Sequence, residues 1–270
     1  MYRQPGENRS CGLTGRSTRT HKCSRALRAL ASCAPVSSNV SPHMIRVTSS
    51  DEFKRLLEAL ARDVGDANIH WRLYRDLDAE LQQHDQVRNQ TRTFWYLTLN
   101  AHSFTAVECL CRAFDQNDSA LHLHSWLKTI EANLHFFDVP EFKKRLADNP
   151  FVESLAESVR IPDRAQLAVD IALCSATDPK VKALQIHRNN ITAHRNARMT
   201  VQGRPISDEF GISVEVFEAL LNRAHEIINR YSSLFTAATY SRKMIGHDDY
   251  RYIFKCVQDA VARWDRGNEG

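Results

Sequence analysis

The sequence predicts an all-α protein built around a helical bundle. Its 270 residues include only 9 glycines and 8 prolines, about half the usual combined share, and this shortage of turn-forming residues disfavours β-sandwiches and barrels. From about residue 49 the apolar residues recur with a period near 3.6, which is typical of amphipathic helices. No run of 18 apolar residues occurs, so we expect no membrane-spanning helix.

Flanking helices are predicted at both ends of the bundle, over residues 51–85 and 248–264. Ser49 followed by Glu52 has the spacing of a helix capping box. Gly65 is predicted to end the first helix, and Asp66 is predicted to cap the helix that follows it.

Four long helices are predicted to form the core of the bundle, over residues 88–114, 119–137, 178–202 and 213–240. Ser119 is the predicted start of the second. Asp178 followed by Pro179 gives the third an N-cap and a proline at its first position. We expect residues 49–266 to form one domain.

Residues 1–48 are predicted to be a disordered basic tail. Its first 43 residues carry seven basic residues and one acidic residue, whereas the remainder has a net charge of −2. The basic pI of 8.7 therefore belongs to the tail. An organelle transit peptide and a true start at Met44 are alternatives.

Seven scattered cysteines do not resemble a disulfide framework and favour a reducing cytoplasm.

The third core helix departs from its own apolar pattern. Val181 and Leu184 define an apolar stripe, but on an α-helical wheel Arg188 lies about 40° and Arg195 about 20° from Leu184. Burial of unpaired charges is costly, so we expect this face to turn from the core toward a cleft or a partner. Residues 178–204 carry six basic residues against Asp178 alone, and this local charge suits an anionic ligand or a solvated helix face.

The segment RNNITAH, from Arg188 to His194, resembles the Arg-x(4–6)-His motif of the HEPN superfamily, here with five intervening residues. Asn189 directly after the arginine matches the family habit. The apolar helix followed by CLCRAFDQNDSALHLHSWLKTI, and a later helix with the motif, is similar to the abortive-infection branch of that superfamily. The resemblance covers most of residues 51–240.

The resemblance implies a homodimeric, metal-independent endoribonuclease without a cofactor. In that interpretation His194 transfers protons and Arg188 clamps the phosphate, leaving a 2′,3′-cyclic phosphate. Asn189 and Asn190 would orient them. On a straight α-helix the two residues are about 9 Å apart along the axis and about 120° around it, so a second copy would complete the site.

Further cations of this segment are expected to bind RNA: Lys182, Arg195 and Arg198. The setting implied is phage defence by abortive infection or a toxin–antitoxin pair, with an antitoxin or another regulatory protein as a further partner. A non-catalytic dimeric module that binds RNA or a protein is the alternative, and a structural accessory protein is a third hypothesis.

Other chemistry-bearing residues are assigned structural roles. His122 and His124, two positions apart on a predicted helix, should point in different directions and hold no metal. Cys109 and Cys111 are expected to be buried thiols. His187, one heptad before His194, is expected to lie at the surface, and assistance to His194 is the alternative. The aromatic residues Trp71, Phe94, Trp95 and Trp126 are spaced as core residues.

Overall fold

A computed structural model describes residues 44–192, 196–246 and 248–268. Within these residues the chain forms twelve α-helices, one 3₁₀ turn and one π-helical turn, with no strand, which confirms the predicted all-α class. The predicted tail lies almost wholly outside the described residues. No helix among the described residues is long and apolar enough to cross a membrane.

Helix α1 (Ser50–Gln83) has 34 residues and is the longest described helix. Ser49 caps it, because its side chain accepts the backbone N–H of Glu52 at 3.2 Å. The Glu52 carboxylate accepts the backbone N–H of Thr48 at 2.6 Å. The N-terminal start predicted from Ser49 is therefore confirmed.

The predicted helix end at Gly65 is wrong, because α1 continues through it. Buried residues on both sides of the glycine lie on one face of the helix, from Phe53 and Leu60 to Val64 and Ala67. A glycine in a helix interior costs only about 1 kcal/mol relative to alanine, whereas each buried side chain of this stripe contributes roughly 1.5–3 kcal/mol. Packing along the whole helix therefore outweighs the local signal.

Replacing Gly65 with alanine should raise the free energy of unfolding by about 0.5–1 kcal/mol. A Cβ atom at this position would meet nothing within 4 Å, so only the backbone entropy changes. Urea unfolding followed by circular dichroism measures the change. Gly203→Ala is the matched control and should destabilise the protein, because Gly203 has a φ of +64°. A loss of stability in Gly65→Ala would contradict the prediction.

Helix α2 (Asp85–Gln90) links α1 to α3 (Arg92–Ala113), and α1 and α3 pack along each other. The predicted helix over 119–137 is shorter than expected: α4 (Leu123–Ala132) is followed by a 3₁₀ turn at Leu134–Phe137. His122, rather than Ser119, caps α4 by accepting the backbone N–H of Ser125. Ser119 instead bonds to the side chain of Asn117, which holds it in the preceding loop.

Three shorter helices follow, α5 (Val139–Arg145), α6 (Val152–Ala156) and α7 (Arg164–Leu173). The chain then forms α8 (Pro179–His187), a π-helical turn (Arg188–Thr192), α9 (Ala197–Val201) and α10 (Ile206–Phe210). The last two helices are α11 (Val214–Thr236) and α12 (Tyr250–Asn268).

The core lies between α1, α3, α4 and α11, with α7 and α8 packed against it. Phe53 of α1 stands at its centre, with ring contacts to Trp126, Phe137 and Phe235. The segment predicted as a flanking helix, residues 51–85, thus supplies a central helix of the bundle. A second, smaller cluster joins the C-terminal half of α1 to α12 through Leu81, Trp95 and Phe254, so the flanking position predicted for the last helix holds.

Candidate functional site

Helix α8 presents the candidate site, and its start is held firmly. Asp178 accepts the backbone N–H groups of Lys180 at 2.9 Å and Val181 at 3.0 Å. It also forms a 3.0 Å ion pair with Arg223 of α11. Burial alone raises the pKa of Asp178, but the Arg223 guanidinium and the two N–H groups outweigh it, so the pKa lies below its ordinary value. The predicted cap at Asp178 is confirmed.

Replacing Asp178 with asparagine should lower the free energy of unfolding at pH 7 by about 1.5–3 kcal/mol, because the cap is kept while a charged hydrogen bond to Arg223 is lost. The folded-state pKa is depressed, so the wild-type advantage is complete above the ordinary pKa of 3.8. It disappears as the pH falls through the folded-state pKa. Urea unfolding at pH 7, 5 and 3 measures this. A difference between the two proteins that is constant over this range would contradict it.

The predicted helix over 178–202 is interrupted at the motif itself. Helix α8 ends at His187, and Arg188–Thr192 forms a π-helical turn, a wider form that occurs often at functional sites. Asn196 then caps α9 by accepting the backbone N–H of Met199. The spacing of the motif on a straight α-helix therefore does not apply.

Asn190 ties the π turn to the helix that follows. Its side-chain amide donates to the backbone carbonyl of Ile186 at 2.8 Å, and its carbonyl oxygen accepts from the Asn196 side chain at 2.8 Å. Such side-chain bonds to the backbone compete with the regular helical bond. Asn190 therefore stabilises the wide turn that carries Arg188, whereas Asn189 is exposed.

Arg188 reaches solvent while one acidic residue orients it. Its Nη1 lies 3.3 Å from Oδ1 of Asp115, and its side chain is 37% exposed against 18% for Asp115. Asp115 follows the end of α3 and also accepts the backbone N–H of Gln116 at 2.7 Å. A carboxylate held by the backbone therefore directs the guanidinium, and part of the guanidinium stays accessible to a ligand. Arg188 is thus exposed toward solvent, as the sequence predicted.

Asp115 is a functional candidate that the sequence interpretation missed. In the sequence analysis, the segment DQNDS that contains it appears only within the stretch that resembles the abortive-infection branch. Asp115 and Arg188 are 73 positions apart, so no spacing rule connects them. The acidic residue directly after a long apolar helix was the one signal present.

The remaining predicted site residues fall into two groups. Lys182 and Arg198 are exposed on the same segment as Arg188, where they add positive charge. His194 and Arg195 lie outside the described residues. Arg204, a further cation of the segment, lies 3.9 Å from Glu209.

His187 is not the surface residue that the sequence predicted. It is half-buried, its Nδ1 lies 3.2 Å from the backbone carbonyl of Phe210, and burial lowers its pKa. The ring is therefore neutral near pH 7.

A cavity of about 550 Å³ opens beside the π turn, between α3 and the N-terminus of α11. We call it the α3–α11 cavity. Its lining residues come from α1, α3, the motif segment and α11: Trp71, Asn100, Ala101, Ser103, Phe104, Val107, His187, Ile191, Thr192, Ile212, Ser213, Val214 and Phe217.

An exposed apolar stripe runs along α3 to this cavity. Phe94, Leu97 and Phe104 are each more than half exposed, and with Ala101 they follow the alternating three- and four-residue spacing of a helix-pairing seam. The prediction that Phe94 belongs to the core is therefore wrong, whereas Trp95 and Trp126 are buried as expected. Exposed apolar patches of this kind mark interaction sites.

Other histidines and cysteines have structural surroundings. His122 and His124 are buried with parallel rings 6.2 Å apart, because His122 precedes α4 in extended conformation; the expected divergence of the two rings is therefore wrong. Cys109 and Cys111 are buried free thiols, as predicted, and burial raises the pKa of Cys111 to about 12. Among the described residues no group of three or more histidine, cysteine or acidic side chains could hold a metal.

An all-α bundle with a cationic, interrupted helix is the arrangement expected of the HEPN-like class that the sequence resembles. The family model HEPN AbiU2, described as AbiU2, matches residues 50–253. The chain therefore belongs to the AbiU2 family of HEPN proteins. No curated protein matches it, and no solved structure does.

Proposed function

We propose that this protein is a metal-independent endoribonuclease that acts as a homodimer through Arg188 and His194. The observation that carries the proposal is the presentation of Arg188. A guanidinium that is 37% exposed and oriented by Asp115 can grip a phosphate, and it lies in a segment rich in exposed cations. Membership of an abortive-infection family supports phage defence as the setting, with a toxin–antitoxin pair as the alternative setting.

The proposed reaction is an internal transfer at phosphorus. The 2′-oxygen of a ribose attacks the adjacent phosphorus, the bond from phosphorus to the 5′-oxygen breaks, and a 2′,3′-cyclic phosphate and a 5′-hydroxyl remain. A base must take the 2′-proton and an acid must protonate the leaving oxygen. Two His194 residues, one from each copy, can share these tasks, and Arg188 stabilises the extra negative charge on phosphorus.

Dimerisation would draw on the exposed stripe of α3. Phe94 and Leu97 are 58% and 59% exposed, and a two-fold axis that pairs these two residues with their copies would remove them from water, whereas Phe104 at the cavity end of the stripe would stay accessible. The stripe belongs to α3, and Asp115, which orients Arg188, follows the end of that helix. The free cysteines at positions 109, 111 and 174 suit the reducing cytoplasm, the compartment we propose. An antitoxin or another regulatory protein is the further partner proposed.

Purified wild type should cut total RNA in the presence of EDTA, whereas His194→Ala should cut at least a hundredfold more slowly, because general acid–base catalysis contributes about 10²–10⁴-fold. His135→Ala is the matched control, since His135 is exposed on the 3₁₀ turn, and should match the wild type. Sequencing the RNA ends should identify 2′,3′-cyclic phosphates, and sedimentation should give the mass of a dimer.

Wild type that leaves every RNA intact, with or without EDTA, would contradict the nuclease proposal. RNA binding without cleavage would then favour the non-catalytic module. Co-expression in growing cells supplies a second readout, because an active ribonuclease should arrest growth and His194→Ala should not.

A further inference from the structure

The α3–α11 cavity has the lining of a site for a flat, partly polar ring. Its aromatic members are Trp71, Phe104 and Phe217, and Phe104 is 55% exposed. Asn100 and Ser213 add an amide and a hydroxyl to the same wall. Its volume of about 550 Å³ lies within the usual range for small-ligand sites.

We propose that this cavity binds a nucleobase of the RNA, next to the phosphate held by Arg188. The inference rests on the proposed function and names the subsite that would give cleavage its base preference. Bases stack on exposed aromatic side chains, and Phe104 offers such a ring. The amide of Asn100 has the donor and acceptor that read a base edge.

The position of the cavity in the chain connects it to the phosphate clamp. His187, Ile191 and Thr192 line the cavity, and Arg188 lies between the first two in the same segment. The cavity and the guanidinium thus belong to one short segment, and a nucleotide whose base occupies the cavity would have a phosphate for Arg188 to bind. The exposed cations Lys182 and Arg198 complement the negative charge of an RNA strand that enters there.

His187 lines the same wall, and one of its ring nitrogens is already bonded. Its Nδ1 faces the carbonyl oxygen of Phe210 at 3.2 Å, so a neutral ring donates its proton there and keeps its acceptor at Nε2. A base that presents an amino or imino N–H group can bond to that nitrogen. An occupant with a ring face and N–H groups fits a wall of aromatic rings and hydrogen-bond acceptors better than a purely aliphatic occupant does.

The test is an equilibrium titration of the full-length protein with the four ribonucleoside 3′-monophosphates, followed by tryptophan fluorescence. Trp71 lines the cavity, so a bound base should quench it saturably, and Trp71→Phe should remove the signal. Phe104→Ala should raise the Kd about tenfold or more, in line with the loss of a base–aromatic stack. Phe151→Ala is the matched control, since Phe151 is 68% exposed on another part of the surface, and it should leave the Kd unchanged.

The outcomes separate this inference from the proposed function. RNA cleavage by a protein that shows no saturable nucleotide quenching would overturn the base site and leave the nuclease proposal standing. Quenching that depends on Phe104, without any cleavage of RNA, would support the site and overturn the nuclease. A Phe104→Ala variant that sediments as a monomer, with wild-type nucleotide binding, would assign the cavity to the contact between two copies and overturn the inference.

Discussion

Replacing Arg188 with alanine should lower the rate of RNA cleavage by about 10²–10³-fold, the usual loss when one preorganised donor to a developing negative charge is removed. Since that charge develops in the transition state, kcat and kcat/KM should fall together. The ion pair with Asp115 is partly exposed, so its loss should cost at most about 1 kcal/mol of stability.

Arg188→Lys should restore only part of the activity, because lysine keeps the charge but lacks the planar fork that grips a phosphate at two oxygens. Arg204→Ala is the matched control. Arg204 is a cation of the same segment with a 58% exposed side chain, and its loss should leave kcat unchanged.

Replacing Asp115 with asparagine tests whether its carboxylate contributes to cleavage by orienting Arg188. Asp115 touches no substrate in the proposed mechanism and acts only through Arg188, so the variant should cut RNA a few-fold more slowly with little change in KM. If Arg188→Ala instead lowers the melting temperature markedly and alters neither cleavage nor RNA affinity, the hypothesis of a structural accessory protein is correct.

Replacing Asp170 with alanine should lower the free energy of unfolding by about 1.5–3 kcal/mol, because the buried Tyr231 hydroxyl loses its charged acceptor. The Asp170 side chain is 2% exposed, and it pairs with Arg230 of α11. It also accepts the Tyr231 hydroxyl at 2.7 Å and the Gln166 amide at 3.0 Å. Burial is the main cause of a raised pKa of Tyr231, and the hydrogen bond to Asp170 is the second cause. The Tyr231 hydroxyl therefore stays protonated and needs the Asp170 carboxylate as its acceptor.

Asp170→Asn should cost less than the alanine variant, because one acceptor oxygen remains for Tyr231. Asp85→Ala is the matched control: Asp85 pairs with Arg88 at the surface with 70% of its side chain exposed, and such pairs contribute about 0–1 kcal/mol. Urea unfolding at pH 7 measures all three variants. A loss below about 1 kcal/mol in Asp170→Ala would show that α7 is not held to α11 through this carboxylate.

Caps and periodicity allowed much of the helical layout to be predicted. At Ser49 and Asp178 the capping side chain accepts a backbone N–H only two or three positions further along the chain. Partners so close in sequence can be predicted from the sequence. The helix end predicted at Gly65 was wrong because the preference of a glycine for ending a helix is weak. The burial of residues on both sides of Gly65 decides that the helix continues.

The candidate site was only partly predictable. The Arg188 position followed from a charged residue on an apolar stripe, which is a property of one helix. Its π-helical backbone, by contrast, depends on bonds from Asn190 to Ile186 and Asn196, and these form only once the turn has its final shape. The exposed stripe of α3 was also missed, because its residues are as apolar as those of the core.

The amino-acid order alone predicted a helical protein with a cationic segment around Arg188, because helical period and charge are local properties of the chain, and the motif around Arg188 supplied the resemblance to the HEPN superfamily. Tertiary packing decided that α1 crosses the core without a break, that Asp115 directs the guanidinium, and that a cavity opens beside it. These three features join residues far apart in the chain, and the free energy that selects them comes from burial and pairing that exist only in the folded state.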